Sequence, residues 1–276
     1  LFYGAAFFFL GTGCFVLQFR QRSKLPLPWG LVGIFALSHG VNDWMEMLAF
    51  SLMTPQFLAV FRIVFLSISF LSLIEFARRS LRRIDNVKIP AWVYLVFFGL
   101  AVFYLFSTKF CFVCFEDAIR YFFGFPGAVC AAYAMRRYVD KNPDGSGQWY
   151  YFVAGVGFLV AAFVILVVPA SHYHISRFLN STSFFKFTSF PIQLLRGIVA
   201  TLAAFLFIQK ATSVTLSMKG VKKGSGVVKS ILTSYVFLYV ILLVAGFHFV
   251  SSVTRYEYDF LRKIILSDAR LLKNAL

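Results

Sequence analysis

The sequence predicts an all-α fold: a polytopic membrane bundle of seven transmembrane helices, plus an eighth that runs outward as a stalk. Three observations carry that expectation. Apolar residues make up 60% of the 276 and charged residues only 14%, where a soluble domain has about half and about a quarter. The apolar residues gather in runs of roughly twenty, the length that crosses a ~30 Å hydrocarbon core. These runs do not alternate polar with apolar as barrel strands do, and lipid leaves helices as the other way to satisfy the backbone.

Taken in order, the expected spans are 2–19, 29–51, 56–77, 90–108, 117–135, 148–169, 187–209 and 230–252. Gly, Pro and charge mark the joints: "RQRSKLPLP", "MTPQ", "RRSLRRIDNVKIP", "TKFCFVCFED", "RRYVDKNPDGSGQ", "SHYHISRFLNSTSFFK" and "KATSVTLSMKGVKKGSGVVK". The seventh joint is rich in Gly, Ser and Lys and reads as a flexible cytoplasmic linker over 211–229. It divides a sensory bundle, 1–210, from the eighth helix and the start of an extracytoplasmic stalk, 230–276. In the stalk Phe260, Leu261, Ile264, Ile265, Leu271 and Leu272 fall near helical spacing. The chain opens at Leu1 inside an apolar run and stops at Leu276 inside a helical pattern, so a portion of a longer protein is expected.

Orientation follows from the basic residues of the joints. The odd joints hold Arg20, Arg22, Lys24, then Arg78, Arg79, Arg82, Arg83, Lys88, then Arg136, Arg137, Lys141, and finally Lys210, Lys219, Lys222, Lys223, Lys229. The even joints hold Lys109, Arg177 and Lys186 alone. The odd joints are therefore expected at the cytoplasmic face of a bacterial inner membrane, with the amino end outside. The same bias accounts for the net charge of +16, so the lipid bilayer is the expected partner and nucleic acid is not.

Within the second span, "LSHGVNDWMEML" places His39, Asn42, Asp43 and Glu46 at i, i+3, i+4 and i+7, one face of a helix. Ionisable groups at this depth cost about 2.5–3.5 kcal/mol on insertion scales and normally face protein with a partner. Arg62, Arg120 and Arg196 lie in the third, fifth and seventh spans at matching depth. Gln193 and Pro191 stand near the start of the seventh. Three readings compete for this cluster: structural pairing between helices, a pocket for a small anionic ligand drawn by the surplus arginine, and a proton path. Glu75 sits beside Arg78 and Arg79 and reads as a local ion pair.

Cys111 and Cys114, with His172 and His174, lie in outward joints and form a candidate zinc set. A short-loop disulfide and plain thiols are the alternatives. Cys14 and Cys130 read as small core residues. His39 and His248 differ in depth, which speaks against bis-histidine haem, and the seventh span offers a retinal no lysine before Lys210. No phosphate loop, G-x-S-x-G or HExxH occurs. No cofactor and no catalytic residue is expected in this chain.

The run "LVGIFALSHGVNDWMEMLAF" resembles a membrane module at the amino end of bacterial sensor proteins. There the second helix carries a Leu/Phe-rich run followed by His-Gly-x-x-Glu/Asp-Trp-x-Asp/Glu, positions held here by His39, Gly40, Asp43, Trp44 and Glu46. Asp43 stands where Glu is more usual. The next helix of such modules ends in an aromatic-acidic-x-x-Arg-Arg pattern, echoed by Ile74, Glu75, Phe76, Arg78 and Arg79. The resemblance covers about the first 210 residues. It implies the non-catalytic sensory and signal-transmitting region of a receptor whose parent is a sensor histidine kinase, with a diguanylate cyclase or phosphodiesterase as the alternative output. It also implies a helix entering a Cache-like outer sensor; a stalk that pairs with its equivalent would make the receptor a homodimer. A small-solute or ion transporter is the rival of another class.

Overall fold

The computed structural model describes residues 2–20, 27–52, 55–142, 148–167, 180–189 and 192–218, with single positions between 233 and 248. The eighth span as a whole, the stalk, His172 and His174 lie outside the described residues. The described residues are helical, without a strand: α1 (Phe2–Arg20), α2 (Trp29–Leu52), α3 (Pro55–Asp85), α4 (Val93–Ser107), α5 (Phe112–Ile119), α6 (Phe125–Lys141), α7 (Gln148–Leu166), α8 (Ser181–Thr188) and α9 (Ile192–Met218). A single π turn, Arg120–Gly124, joins α5 to α6 in one continuous rod.

The expected seven segments are all present as helices, with shifted ends. α3 runs on to Asp85, because the basic residues of its joint are held in helical register by Glu75. That carboxylate accepts from Arg78 Nε at 2.7 Å, from Arg79 Nε at 2.5 Å and from Tyr94 OH at 2.5 Å. Asn86, with φ of 56°, then ends the helix. The rod begins at Phe112, five residues before the expected start. α9 is preceded by the separate α8, which Asn180 caps by accepting from Ser183 N–H at 2.8 Å. It continues to Met218, past the expected end at 209.

By length and composition, Phe57–Asp85, Gln148–Leu166 and Leu194–Thr212 are long and apolar enough to cross a membrane. Large apolar side chains also point outward from α3, α4, α7 and α9, Phe103 being 74% exposed. A soluble monomer rarely shows so much contiguous apolar surface, and the bundle is compatible with a membrane protein.

The helices close into a ring in which α1 packs on α2, α2 on α3, α3 on α6, α6 on α7, α7 on α9 and α9 back on α1. α4 stands outside it against α5 and the π turn. Asp85 ties α3 to α6 by accepting from Arg137 Nε and Nη2 at 2.8 and 2.9 Å. At the same end Trp29 is buried against Phe76, Tyr151 and Phe207, with ring centroids 5.8, 6.1 and 4.9 Å away.

α1 and α2 approach through glycine faces. A β-carbon on Gly40 would meet the Gly4 carbonyl oxygen at 2.9 Å, and one on Gly33 would meet the Phe15 ring at 2.8 Å. Trp44, tilted against Phe8 with ring centroids 4.6 Å apart, fills the space over Gly4. Neither helix can carry a larger residue there without separating. Gly40→Leu should therefore destabilise the bundle by about 1–3 kcal/mol in thermal unfolding in detergent. Gly99→Leu, on α4 with nothing within 4 Å of a β-carbon, should leave the melting temperature unchanged.

Candidate functional site: a cation-lined cavity inside the ring

The face read from the second span is buried as expected at His39 and Asn42. The His39 ring packs among Phe7, Phe35 and Phe70, with centroids 4.7, 5.6 and 5.6 Å away. Its Nδ1 lies 3.2 Å from Ser69 Oγ, and that hydroxyl donates to the Phe35 carbonyl oxygen at 3.2 Å. A hydroxyl that donates to a carbonyl accepts from the ring, which assigns the proton to Nδ1. Asn42 Nδ2 makes a long contact of 3.5 Å to Asp43 Oδ1, while Asp43 Oδ2 is buried with no hydrogen-bond partner among the described residues.

The expected single cluster divides into two groups. In one, Arg62 of α3 bridges Glu46 of α2 at 3.5 Å and Glu116 of α5 at 3.1 Å. Glu116 and its neighbour Asp117 read from the sequence as part of an outward joint; both are helical and buried. Glu116 can lie there because Arg62 supplies its counter-charge. The signal for both acids was their spacing, one turn ahead of Arg120.

The second group lines a cavity of about 250 Å³ between α1, α2, α7 and α9. His39, Arg120 and Arg196 are its polar lining; the other walls are apolar, among them Leu10, Val32, Ala203 and Phe207. Arg196 caps the end of α7 by donating from Nη2 to the Val164 and Val167 carbonyl oxygens at 3.1 and 2.6 Å, groups a helix end otherwise leaves without partners. Arg120 comes from the π turn. Pro126 has no N–H to give the Phe122 carbonyl four residues back. Phe125 N–H instead reaches the Arg120 carbonyl, five residues back. The added residue per turn rotates Arg120 into the ring, where it is 4% exposed and its Nε has no hydrogen-bond partner among the described residues. Arg120 and Arg196 are also within electrostatic reach of both His39 and Asp43.

Gln193 lies on α9 beside this site, its side chain outside the described part. Cys111 and Cys114 are free thiols, Cys111 preceding α5 and Cys114 buried within it. Among the described residues no group of three or more His, Cys, Asp or Glu is placed to hold a metal ion. A second, wider cleft of about 710 Å³ lies at the far end of α3, lined by Arg78, Arg79, Arg82, Arg83, Asn86, Lys88 and Ile89.

No family model matches the chain, and no curated protein or solved structure is found to be similar to it. The fold and site define a helical bundle that keeps two arginines and a histidine on the wall of an otherwise apolar cavity.

Removing Arg62 tests the first group. Arg62→Gln leaves Glu46 and Glu116 without their cation. The expected cost is roughly 1–3 kcal/mol, between that of an exposed pair, ~0–1, and that of a buried pair losing one partner, ~3–5. In thermal unfolding Arg62→Gln/Glu116→Gln should recover part of the loss, since the buried charge goes with its partner.

Proposed function

We propose that the chain is the membrane-embedded sensory and signal-transmitting part of a bacterial receptor of the sensor histidine kinase type. In this reading α1, α2, α3, α4, the α5–α6 rod, α7 and α9 are seven crossings of the inner membrane, with the amino end outside. The outward apolar belt supports the crossings. The basic cleft at the end of α3 supports the orientation, since it would lie against the anionic inner leaflet.

The observation that carries the sensory role is the cavity wall. Arg120 and Arg196 are expensive to keep in an apolar setting, and both line the cavity, whereas Arg62 bridges Glu46 and Glu116 away from it. Arg120 is instead brought to the cavity by a broken helix turn, with an N–H left over. The kinase output rests on the pattern His39, Gly40, Asp43, Trp44, Glu46 and on Glu75 with Arg78 and Arg79. A bound molecule would shift α7 and α9 relative to each other, and α9 would pass the shift inward.

Two measurements test this. The full-length protein in native membranes should incorporate acid-labile phosphate on histidine, and Arg120→Gln should change the steady-state level at least threefold. Absence of phosphohistidine together with solute flux into proteoliposomes would overturn the receptor reading in favour of a transporter. With Cys111 and Cys130 replaced by Ser, Lys88→Cys should react with impermeant maleimide only from the cytoplasmic side and Lys109→Cys only from outside. The reverse pattern would invert the topology.

A further inference from the structure

We infer that the cavity binds a single-chain amphiphile with a carboxylate head, a medium-chain fatty acid, taken sideways from the bilayer. The inference rests on the sensory reading above for its purpose and on the cavity alone for its chemistry. The register of α7 and α9 fixes which end is polar. Arg196 meets Val164 and Val167 at one end of the pair, and Lys210 lies over the Tyr150 and Tyr151 rings, 5.3 and 5.5 Å from their centroids, at the other. The helices are therefore antiparallel. The lining runs along α7 from Val153 to Ile165 and along α9 from Arg196 to Phe207, about 16–18 Å at 1.5 Å per residue.

His39 and Arg120 share the Arg196 end, because both guanidinium groups act on His39. At the Phe207 end, Trp29 packs edge-on against the Phe207 ring, with centroids 4.9 Å apart. One end of the slot is thus cationic and the rest is hydrocarbon in character, the profile of an amphiphile. Val156 and Leu202 line the slot and are 44% and 59% exposed on the bundle's outer face. The seam between α7 and α9 therefore opens laterally, toward acyl chains.

Size and charge narrow the class. About 250 Å³ lies just below the ~300–1,000 Å³ of ordinary ligand pockets, room for one chain and not for a two-chain phospholipid. The polar groups on the cavity wall are Arg120, Arg196 and His39, while Asp43 is within electrostatic reach of both arginines without lining the cavity. Asp117, one turn before Arg120, does not line the cavity either and lies within reach of Tyr121 and Cys114. The wall is therefore cationic, which an anionic head complements, and a cavity this small suits the compact head of a carboxylate. The Arg120 Nε–H supplies a donor that a carboxylate oxygen can accept.

The test uses the chain in phosphatidylcholine nanodiscs with 12-bromododecanoate as probe, whose terminal bromine would come to rest near Trp29 and quench its fluorescence. Saturable quenching is expected. Dodecanol should compete at least tenfold more weakly than dodecanoate, and dodecylamine should not compete. Arg120→Gln should weaken binding at least tenfold. Should that variant fail to fold, Ala203→Phe, which fills the slot and leaves every charge in place, should abolish the quenching.

Equal affinity for dodecanol, or quenching that survives Ala203→Phe, would overturn the inference. Stronger binding of dodecyl phosphate than of dodecanoate would overturn the carboxylate assignment. Saturable binding without any effect on phosphohistidine would leave the ligand standing and remove the sensory reading. An output sensitive to Arg120→Gln, with no probe bound, would do the opposite.

Discussion

The arrangement depends on one constraint: a guanidinium held inside an apolar ring must be aimed, because nothing around it will solvate a wrong orientation. Arg120 is aimed by Pro126. A regular α-helix through 112–141 would need an N–H at position 126, and the widened turn that replaces it rotates the residues before it relative to those after. Gly124 lets that turn sit close, since a β-carbon there would strike Phe70 and Ile165 at 2.9 Å. The irregular turn is therefore wedged between α3 and α7, and Arg120 inherits its direction from that fit. A π turn in a long helix is commonly found at a functional position, and here the geometry gives a reason.

Arg62, Arg120 and Arg196 meet three different environments inside the bundle. Arg62 is shared by two carboxylates on neighbouring helices and acts as a strut. Arg196 is half committed, donating to the carbonyls that end α7. Arg120 keeps its Nε–H unspent, as Arg62 does, but lies on the cavity wall, which Arg62 does not reach. Counting charges over the whole bundle hides this, because Asp43, Glu46, Glu116 and Asp117 together outnumber the arginines. What decides the chemistry of the cavity is which of these reach its wall, and among the lining residues Arg120 and Arg196 meet no acid there.

Much of this was legible in the chain as written. The helical segments follow from apolar runs whose length is set by backbone geometry, and the buried face of α2 follows from i, i+3, i+4, i+7 spacing. Glu75 finds Arg78 and Arg79 because such pairs are local. What was not legible is whatever depends on helices being brought together. Glu116 and Asp117 looked like the polar edge of a loop because "CFED" carries charge beside cysteine; only the approach of α3, with Arg62, makes a buried helix the better place for Glu116. Pro126 was visible, but whether a proline kinks a helix, ends it or widens one turn depends on what packs around it. The cavity has no sequence signature, since its walls are the same Val, Ala and Phe that fill the core elsewhere.

The position of the cavity also bears on how a signal could leave it. α9 is held differently by its two neighbours. Along α1 the contact is close: a β-carbon on Gly13 would come within 3.3 Å of the Ile208 backbone nitrogen. Along α7 the helices are kept apart by the slot between Arg196 and Phe207 and meet at its ends, through the Arg196 cap and the Lys210–tyrosine contacts. A helix gripped on one side and spaced on the other can rock about the gripped side at little packing cost, because the space on the other side is already present. Filling that space changes what α9 rests on. Because α9 continues through Met218, past the Lys210 end of the slot, in the proposed reading a rotation set at the cavity would be carried along this helix to residues beyond the slot. Coupling of this kind needs no chain of intermediate side chains: one helix with two resting positions is sufficient.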